Sequence, residues 1–188
     1  MTDDSYYDQI SEGYEELHKE EQLAKMKLVK SQIGLYLAQK ARLLTDGKIK
    51  IADIGCGTGI TADWTKEAEI FKKMYNLDLI VTGLDPARKL LDKCKLPIDK
   101  VLAAAEKIPL PDKSFDIVTS ITAIQNFQDI KKGLSEISRI GKEDALFVLS
   151  FLKKSPKKDL ILSEIRSIFK VKRELEEDKD ILIIAIKL

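Results

Sequence analysis

The sequence predicts an α/β fold built on a doubly wound, mostly parallel seven-stranded sheet with an antiparallel C-terminal strand. Short apolar segments alternate along the chain with segments whose apolar residues recur every three or four positions, which is typical of strands alternating with helices. Such alternation favours a parallel sheet covered on both faces through right-handed crossovers. The last two apolar segments are joined by the short polar run 176–180, so one of them should run antiparallel to the other strands.

The N-terminal part of the chain indicates a long helix and then a first strand. Helical spacing places apolar residues on one side of that helix, namely Leu23, Met26, Val29, Ile33 and Leu37. Asp46-Gly47 signals a turn, and the apolar run 49–54 predicts the first strand.

The middle of the chain repeats the alternation. Apolar runs predict strands at residues 79–84, 100–103, 115–120 and 145–151. Three helices are expected between them. The first has Ile60, Trp64, Phe71 and Tyr75 on its face, the second starts at Pro86, and the third carries Ile130, Leu134, Ile137 and Ile140.

Residues 152–188 indicate a helix followed by a hairpin. Ser155-Pro156 predicts a helix cap with proline at the first helical position. Ile161, Ile165 and Ile168 are the expected buried stripe of that helix. Residues 171–175 and 181–188 are the expected strands of the hairpin.

Composition excludes several classes of protein. The 188 residues include 32 basic and 31 acidic residues, for a net charge of +1, so no overall positive field indicates nucleic acid. Cys56 and Cys94 cannot build a disulfide framework and lack the spacing of a zinc site, so no metal is expected. No apolar run approaches the roughly 20 residues of a membrane span, and no secretion signal is recognisable. The expected location is cytoplasmic.

The first strand ends in a glycine-rich turn, which predicts a ligand site. Residues 53–59 read Asp-Ile-Gly-Cys-Gly-Thr-Gly, and glycines let a backbone approach a ligand closely. A dinucleotide site would need its third glycine one position later, where Ile60 stands. The turn therefore does not indicate a pyrophosphate site, although a plain tight turn is the alternative interpretation.

Four segments in the right order resemble the class I S-adenosylmethionine-dependent methyltransferases. Residues 51–59 resemble their first motif, and residues 81–85 resemble their second-strand motif, which ends in an acid. Residues 105–118 are similar to the segment between strands three and four in the subgroup that includes ubiquinone and menaquinone C-methyltransferases. Residues 7–14 resemble that subgroup's N-terminal lid. The resemblance implies a Rossmann-like methyltransferase fold and S-adenosyl-L-methionine as cofactor.

The resemblance also implies roles for individual residues. Asp53 would accept hydrogen bonds from the ammonium of the methionine part, directly or through water. The backbone of Gly55, Cys56 and Gly57 would pass alongside the methionine chain. Asp85 would accept hydrogen bonds from both ribose hydroxyls. The alternative for Asp85 is a helix N-cap, because Pro86 follows it.

The adenine is expected between Leu84 or Pro86 and Ile108, with the backbone of Ala105 and Glu106 along its edge. The subgroup usually has an acid before this Ala-Glu pair, to accept from the adenine amine, and this chain has Ala104. Glu106 or backbone carbonyls would have to replace that acid, or cofactor binding is weaker.

The acceptor side of the site carries fewer signals. Gln125 and Asn126 follow the fourth strand and are candidate substrate residues, but that loop contains no histidine and so no obvious general base. It also lacks the motif with which amide and amine methyltransferases hold a nitrogen. Tyr7 and Tyr14 resemble lid residues, Tyr7 near the substrate and Tyr14 over the methionine moiety. The alternative for both tyrosines is packing on the sheet.

The acceptor itself is unassigned, and a small metabolite is the first hypothesis. RNA or a translation protein is the second, because Lys153, Lys154, Lys157 and Lys158 follow the fifth strand and would lie on the rim of the site. The chain could also be a non-catalytic S-adenosylmethionine-binding module or a dehydrogenase. A partner subunit could help to recognise the acceptor, and nothing in the sequence indicates the oligomeric state.

The expected organisation is one methyltransferase domain over residues 1–188. Residues 1–45 would form the N-terminal lid and helix, residues 46–151 the cofactor-binding core, and residues 152–188 the C-terminal helix and hairpin.

Overall fold

The seven predicted strands form one sheet, in the order β3-β2-β1-β4-β5-β7-β6. The computed structural model describes residues 14–41, 47–177 and 179–188. The strands are β1 (Lys48–Ile54), β2 (Asp78–Asp85), β3 (Asp99–Leu102), β4 (Phe115–Ser120), β5 (Gly141–Leu152), β6 (Phe169–Glu176) and β7 (Asp180–Lys187). The helices are α1 (Tyr14–Ala41), α2 (Thr65–Tyr75), α3 (Arg88–Lys93), α4 (Ile130–Ile140) and α5 (Lys158–Ile168), with a 3₁₀ turn at Ile124–Asn126.

The strand directions confirm the predicted fold class. β3, β2, β1, β4 and β5 are parallel neighbours. β7 pairs antiparallel with β5 on one side and with β6 on the other. The chain leaves β1 towards β2 and β3, and it later returns to the other side of β1 as β4. The sheet therefore has its switch point between β1 and β4, which is where a doubly wound sheet binds ligands.

The core has one layer on each face of the sheet, because the strands carry apolar side chains on both faces. In β4 every residue is buried, with Val118 packed in one layer and Ile117 in the other. α4 and α5 cover the first layer with fully buried residues such as Leu134 and Ile161. α1 covers the second with Val29 and Ile33, both 0% exposed.

One residue of the predicted α1 face does not belong to it. Met26, Val29, Ile33 and Leu37 are buried, but Leu23 is 52% exposed, so the prediction for Leu23 is wrong. The buried side of α1 instead includes Lys25, which is 7% exposed. A charged side chain therefore occupies a position on the helix that faces the sheet.

Two helices begin later than the prolines indicate. α3 begins at Arg88 and not at Pro86, and α5 begins at Lys158 and not at Pro156. In each case the residue before the proline bonds the amide two residues ahead. The Asp85 carboxylate accepts from the Ala87 amide, and the Ser155 hydroxyl accepts from the Lys157 amide. These side chains close a turn and leave the proline inside that turn, ahead of the helix.

A similar shift affects the helix after the glycine turn. α2 begins at Thr65, so Ile60 and Trp64 precede the helix and do not lie on its face, although Trp64 is buried at 2% exposure. Among the described residues, no helix has the length and apolarity that a membrane crossing requires.

Candidate functional site

The glycine-rich turn lies at the carboxyl end of β1 and is fixed to the end of β2. Gly55, Gly57 and Gly59 have φ of 81°, 55° and 96°, values that favour glycine because a Cβ would clash with the backbone. The amides of Gly55 and Cys56 both donate to the Leu84 carbonyl, at 2.7 and 3.1 Å. The turn therefore presents bare backbone at the switch point of the sheet.

Asp85 ends β2 and connects the glycine turn to the start of the next helix. One carboxylate oxygen accepts from the Gly57 amide at 2.8 Å, and the other accepts from the Ala87 amide at 2.8 Å. The N-cap of α3 is Ala87, so Asp85 is not the cap residue that the alternative interpretation expected. Its carboxylate nevertheless accepts from the Ala87 amide, directly before that helix, and it also lines the cleft.

A cleft opens above the turn, lined from the ends of four neighbouring strands. β1 and β2 supply the glycines and Asp85, the segment after β3 supplies its residues 104–106, and the segment after β4 supplies residues 121–123 and 126–128. Of the described residues that line it, only Asp85 and Glu106 carry a charge. The segment after β4 forms the wall beside the glycine turn, with apolar Ile121, Ala123 and Phe127 and polar Thr122, Asn126 and Gln128.

Asp53 lies beneath the turn and outside the lining of the cleft. It is 0% exposed, and its two carboxylate oxygens accept from the hydroxyls of Thr61 at 2.5 Å and Thr119 at 2.7 Å. Burial raises the pKa of Asp53 to about 6, and the two hydroxyl bonds work against that rise. Asp53 therefore holds the turn from below, and its predicted contact with an ammonium stays a prediction.

Cys56 turns its side chain away from the cleft. The thiol packs in a small apolar cluster with Ala62 and Leu91, and it lies so near Gly83 that a Cβ there would come within 2.8 Å of the sulfur. Burial raises the pKa of the Cys56 thiol far above its ordinary value. Cys56 is not among the residues that line the cleft, and the predicted contact of its backbone with the methionine chain stays a prediction.

The segment after β3 forms one side of the cleft and is tied to the opposite side through Glu106. The Glu106 carboxylate accepts from the amides of Gln128 and Asp129, at 2.7 and 3.2 Å. These amides lie directly before α4, where the Asp129 carboxylate caps the helix by accepting from the Lys132 amide. Glu106 therefore connects two cleft-lining segments, a role that its sequence context did not indicate.

Arg139 holds the rest of this segment against α4. Its guanidinium donates to the carbonyls of Ile108 and Leu110 at 2.8 and 2.9 Å, and Glu136 accepts from the Ile108 amide at 2.9 Å. Ile108 is 4% exposed, packs in the core and is not among the residues that line the cleft, so its predicted contact with the adenine stays a prediction.

Phe127 lines the cleft although the sequence interpretation gave it no role. Its ring lies against Gly133 of α4, where a Cβ would come within 2.5 Å of the ring. A glycine on the apolar face of an amphipathic helix, six residues after an aromatic one, was the available signal.

The structure separates the two candidate substrate residues of the 3₁₀ turn. Asn126 lines the cleft. The Gln125 side chain instead donates to the Thr122 carbonyl at 2.7 Å. Tyr14 is the first residue of α1, and Tyr7 lies outside the described residues, so both lid roles stay predictions.

Two of the four rim lysines serve the structure. Lys157 donates to the carbonyls of Gln125 and Phe127, at 3.0 and 3.2 Å, and so supports the 3₁₀ turn and the residue that follows it. Lys153 pairs with Glu176 at 3.3 Å. No cluster of three or more potential metal ligands occurs among the described residues.

A parallel sheet with a bare glycine turn at its switch point, and an acid at the tip of the adjacent strand, defines a class I methyltransferase domain. A family model described as a methyltransferase domain matches residues 52–149, and the chain belongs to that family. The predicted family is therefore confirmed, together with its Rossmann-like fold.

The chain spans about half the length of the curated relatives that it matches. An uncharacterized protein of Methanocaldococcus jannaschii is 31% identical over 145 residues, which cover 77% of this chain and 49% of that protein. A ubiquinone/menaquinone biosynthesis C-methyltransferase of Campylobacter jejuni is 36% identical over 110 residues, which cover 56% of this chain and 46% of that enzyme.

Solved structures of low identity share the fold. A SAM-dependent methyltransferase of Thermotoga maritima has a TM-score of 0.65 at 18% identity, and the match covers 97% of this chain and 98% of the other. A SAM-dependent methyltransferase of Aquifex aeolicus has a TM-score of 0.58 at 19% identity, with 88% and 98% covered.

The cofactor implied by the family is S-adenosyl-L-methionine, and the cleft fits it. Gly55 and Gly57 leave space beside the backbone for the methionine chain. Asp85 lines the cleft at the tip of β2, and an ionised carboxylate, which only accepts hydrogen bonds, suits the two hydroxyls of a ribose. The apolar lining next to it, including Leu84 and Pro86, suits a purine ring.

Proposed function

We propose that this chain transfers a methyl group from S-adenosyl-L-methionine to a small, largely apolar metabolite. The observation that carries the proposal is that Ile121, Ala123 and Phe127 line the cleft. They belong to the segment after β4, whose cleft-lining residues we call the acceptor wall. No lysine or arginine is among the described lining residues. Binding of a polyphosphate chain such as RNA depends on such cations, so the wall favours an uncharged or weakly charged acceptor.

The cofactor would lie across the carboxyl ends of β1 and β2. Asp85, which lines the cleft at the tip of β2, would accept hydrogen bonds from the ribose hydroxyls, because an ionised carboxylate is an acceptor only. The backbone of Gly55, Cys56 and Gly57 would follow the methionine chain. The bound cofactor supplies an electrophilic methyl group on its sulfonium, so the protein's main tasks are alignment of the acceptor and exclusion of water.

The adenine would lie against Leu84 and Pro86, with its edge along the backbone of Ala105 and Glu106. The Glu106 carboxylate accepts from the amides of Gln128 and Asp129, which supports a role in fixing the two walls at the width of the ring. Ala104 lines the same edge and offers only its backbone to the adenine amine.

Asp53 would act on the ammonium of the methionine part from below the turn. Its carboxylate is fully buried and bonded by two hydroxyls, and its pKa of about 6 keeps most of it ionised at neutral pH. A negative charge in this position favours a cation at the turn.

The polar side chains of the acceptor wall are Thr122, Asn126 and Gln128, and none of them is a base at neutral pH. A general base is needed only when the acceptor must lose its proton early. The wall therefore suits an acceptor that is nucleophilic by itself, such as an electron-rich ring carbon or a thiolate. The C-methyltransferase among the curated relatives supports the same class.

The decisive experiment incubates the full chain with methyl-labelled S-adenosylmethionine and fractionated cell extract. Label in small molecules that partition into organic solvent is the expected result. Label in RNA or protein would contradict the proposed acceptor class. Tight cofactor binding without any transferred label would favour a non-catalytic binding module.

A charge-reversal control separates the acceptor classes. Lys154→Glu with Lys158→Glu reverses the charge of two rim lysines that lie outside the cleft lining. Transfer to a small apolar metabolite should be unchanged in this double variant, whereas transfer to RNA should fall steeply and depend on salt.

A further inference from the structure

Thr122 has an unusual backbone conformation at the wall of the cleft. It lies two residues beyond β4, lines the cleft and has φ of 54°. A β-branched residue rarely adopts this left-handed conformation, because its side chain crowds the backbone. Such a conformation persists only where neighbouring groups enforce it, and it is common at functional sites.

The backbone of Thr122 is bonded on both sides. Its amide donates to the Ser150 hydroxyl at 2.8 Å and approaches the Ser150 carbonyl at 3.1 Å. Its carbonyl accepts from the Gln125 side chain at 2.7 Å. These bonds fix the peptide planes but leave the side chain to other partners.

The side chain of Thr122 is held by a buried ion pair. Its hydroxyl accepts from the Lys25 ammonium at 2.6 Å and donates to the Asp180 carboxylate at 3.1 Å. Lys25 and Asp180 also pair directly, with side chains 5% and 1% exposed. Lys25 comes from α1 and Asp180 is the first residue of β7, so two distant elements meet at this hydroxyl.

A buried ion pair contributes little net stability to the packing of a helix on a sheet. Removing two charges from water costs about as much as their attraction returns, and apolar side chains of similar size often replace such a pair without loss of stability. A buried polar group needs a partner of fixed direction. The pair is therefore better explained by the group it orients than by helix attachment alone.

The conformation of Thr122 sets the position of Ala123 beside the glycine turn. A Cβ on Gly55 would lie 2.4 Å from the Cβ of Ala123, so these two residues are in contact at the edge of the cleft. A small rotation at Thr122 would move Ala123 towards or away from the turn and would change the width of the cleft where the methyl group is expected.

We propose that Lys25 is a positioning residue, which through Thr122 and Asp180 holds the acceptor wall at the distance from the glycine turn that methyl transfer requires. The inference rests on the proposed function. It makes docking of α1 a condition for the geometry of the acceptor side, whereas Lys25, Thr122 and Asp180 lie outside β1 and β2, which build the cofactor side.

The first test replaces Lys25 by Met, which keeps the apolar stem and removes the charge. Methyl transfer to the labelled small-molecule fraction should fall by about tenfold or more, because misplacement by a fraction of an ångström already misaligns reacting atoms. Affinity for S-adenosylhomocysteine, measured by calorimetry, should stay within about threefold. Equal loss of both would overturn the proposal.

A second variant tests the coupling and does not depend on the fate of the ion pair. Thr122→Val removes the hydroxyl and leaves Lys25 and Asp180 paired. It should reduce methyl transfer as Lys25→Met does, and the double variant should be no worse than either single one, because both changes break the same link. Additive losses would contradict the proposal.

Lys30→Met is the matched control on the same helix. Lys30 pairs with Glu67 at 2.7 Å and lies over the ring of Trp64, so its loss also weakens the docking of α1, but at a distance from the cleft. Hydrogen exchange of residues 121–127, measured without ligand, should accelerate in Lys25→Met and Thr122→Val and not in Lys30→Met.

These readouts separate the two proposals. If the wild-type chain transfers no methyl group, the proposed function fails, and the exchange of residues 121–127 still decides whether Lys25 positions the wall. If exchange there is the same in Lys25→Met and Lys30→Met, the positioning role is wrong, whatever the activity.

Discussion

Gly55 and Ala123 are in contact at the edge of the cleft, with no space for a side chain on Gly55. A Cβ built on Gly55 would lie 2.4 Å from the Cβ of Ala123, and Gly55 has φ of 81°. The Gly55 amide also donates to the Leu84 carbonyl at 2.7 Å. Glycine is therefore required at this position for two reasons, the left-handed backbone conformation and the contact with Ala123.

Gly55→Ala should weaken cofactor binding and destabilise the protein. The added methyl group must displace Ala123, and the left-handed conformation adds strain of about 1–2 kcal/mol. We expect at least a tenfold loss of affinity for S-adenosylmethionine in calorimetry. Gly34→Ala is the control, because among the described residues no atom beyond its own helix backbone and chain neighbours lies within 4 Å of a Cβ at that position of α1. It should stabilise the chain by up to about 1 kcal/mol. Normal cofactor affinity in Gly55→Ala would contradict the placement of the cofactor at this turn.

Asp85→Asn should weaken S-adenosylmethionine binding by about tenfold or more. The amide replaces one acceptor oxygen by a donor, which loses a charge-assisted bond to ribose and faces an amide of Gly57 or Ala87. Asp78→Asn is the matched control at the opposite end of the same strand, where Asp78 forms an exposed pair with Lys72. Equal affinities in the two variants would remove the ribose assignment.

Ala104→Asp should increase cofactor affinity. Ala104 is exposed and lines the cleft beside Ala105 and Glu106, so an aspartate there has no burial cost and can accept from the adenine amine. At this exposed position the net contribution of the hydrogen bond is about 0.5–1.5 kcal/mol, so we expect a gain of about twofold to tenfold by calorimetry. Ala104→Leu adds similar bulk without an acceptor and should bring no gain. If both variants bind equally, the adenine edge lies elsewhere.

Asp53→Asn should change the pH dependence of stability. Burial raises the pKa of Asp53 from 3.8 to about 6, so the folded chain holds a proton that the unfolded chain releases between about pH 4 and pH 6. The wild type therefore loses stability on the order of 3 kcal/mol over this window, and the loss is complete above it. The variant does not titrate there, so its free energy of unfolding relative to wild type should rise from pH 4 to pH 7 in denaturant titrations.

Asp63→Asn provides a control of opposite sign. Burial alone would raise the pKa of Asp63, but the side chain and amide of Thr65 hold it below its ordinary value. Such an acid stabilises the fold above its unfolded pKa and loses that contribution as the pH falls. The stability of Asp63→Asn relative to wild type should therefore decrease slightly towards neutral pH. The same pH trend in both variants would rule out Asp53 as the source of the effect.

Strands such as β4 and β7 could be predicted because each is a local apolar run with a polar boundary, whereas β6, which carries charged residues between its apolar ones, extends beyond the predicted range 171–175 to Phe169–Glu176. β4 was located at its observed ends from residues 115–120 alone, since all six of its side chains are buried. Helix starts were less accurate where a proline followed a side chain that bonds the backbone. At Pro86 and Pro156 the turn takes precedence over the helix, and this competition is decided by hydrogen bonds that a sequence pattern does not show.

The site could be predicted in part. Gly55, Gly57 and Asp85 meet because the turn and the strand end are adjacent in any parallel sheet of this order. Lys25 was missed because a lysine on a charged helix indicates a solvated face, and its partner Thr122 lies 97 positions away. Asp180 was assigned to a polar connection and is instead the buried first residue of β7.

The place of β7 has a consequence for how the protein is made. β7 follows β6 in the sequence but lies inside the sheet between β5 and β6, and it brings Asp180 to Lys25 of α1. During synthesis on the ribosome β1 to β5 emerge before β7, so Asp180 can reach Thr122 and Lys25 only after these strands have been made. We therefore expect the acceptor side of the cleft to be completed after its cofactor side.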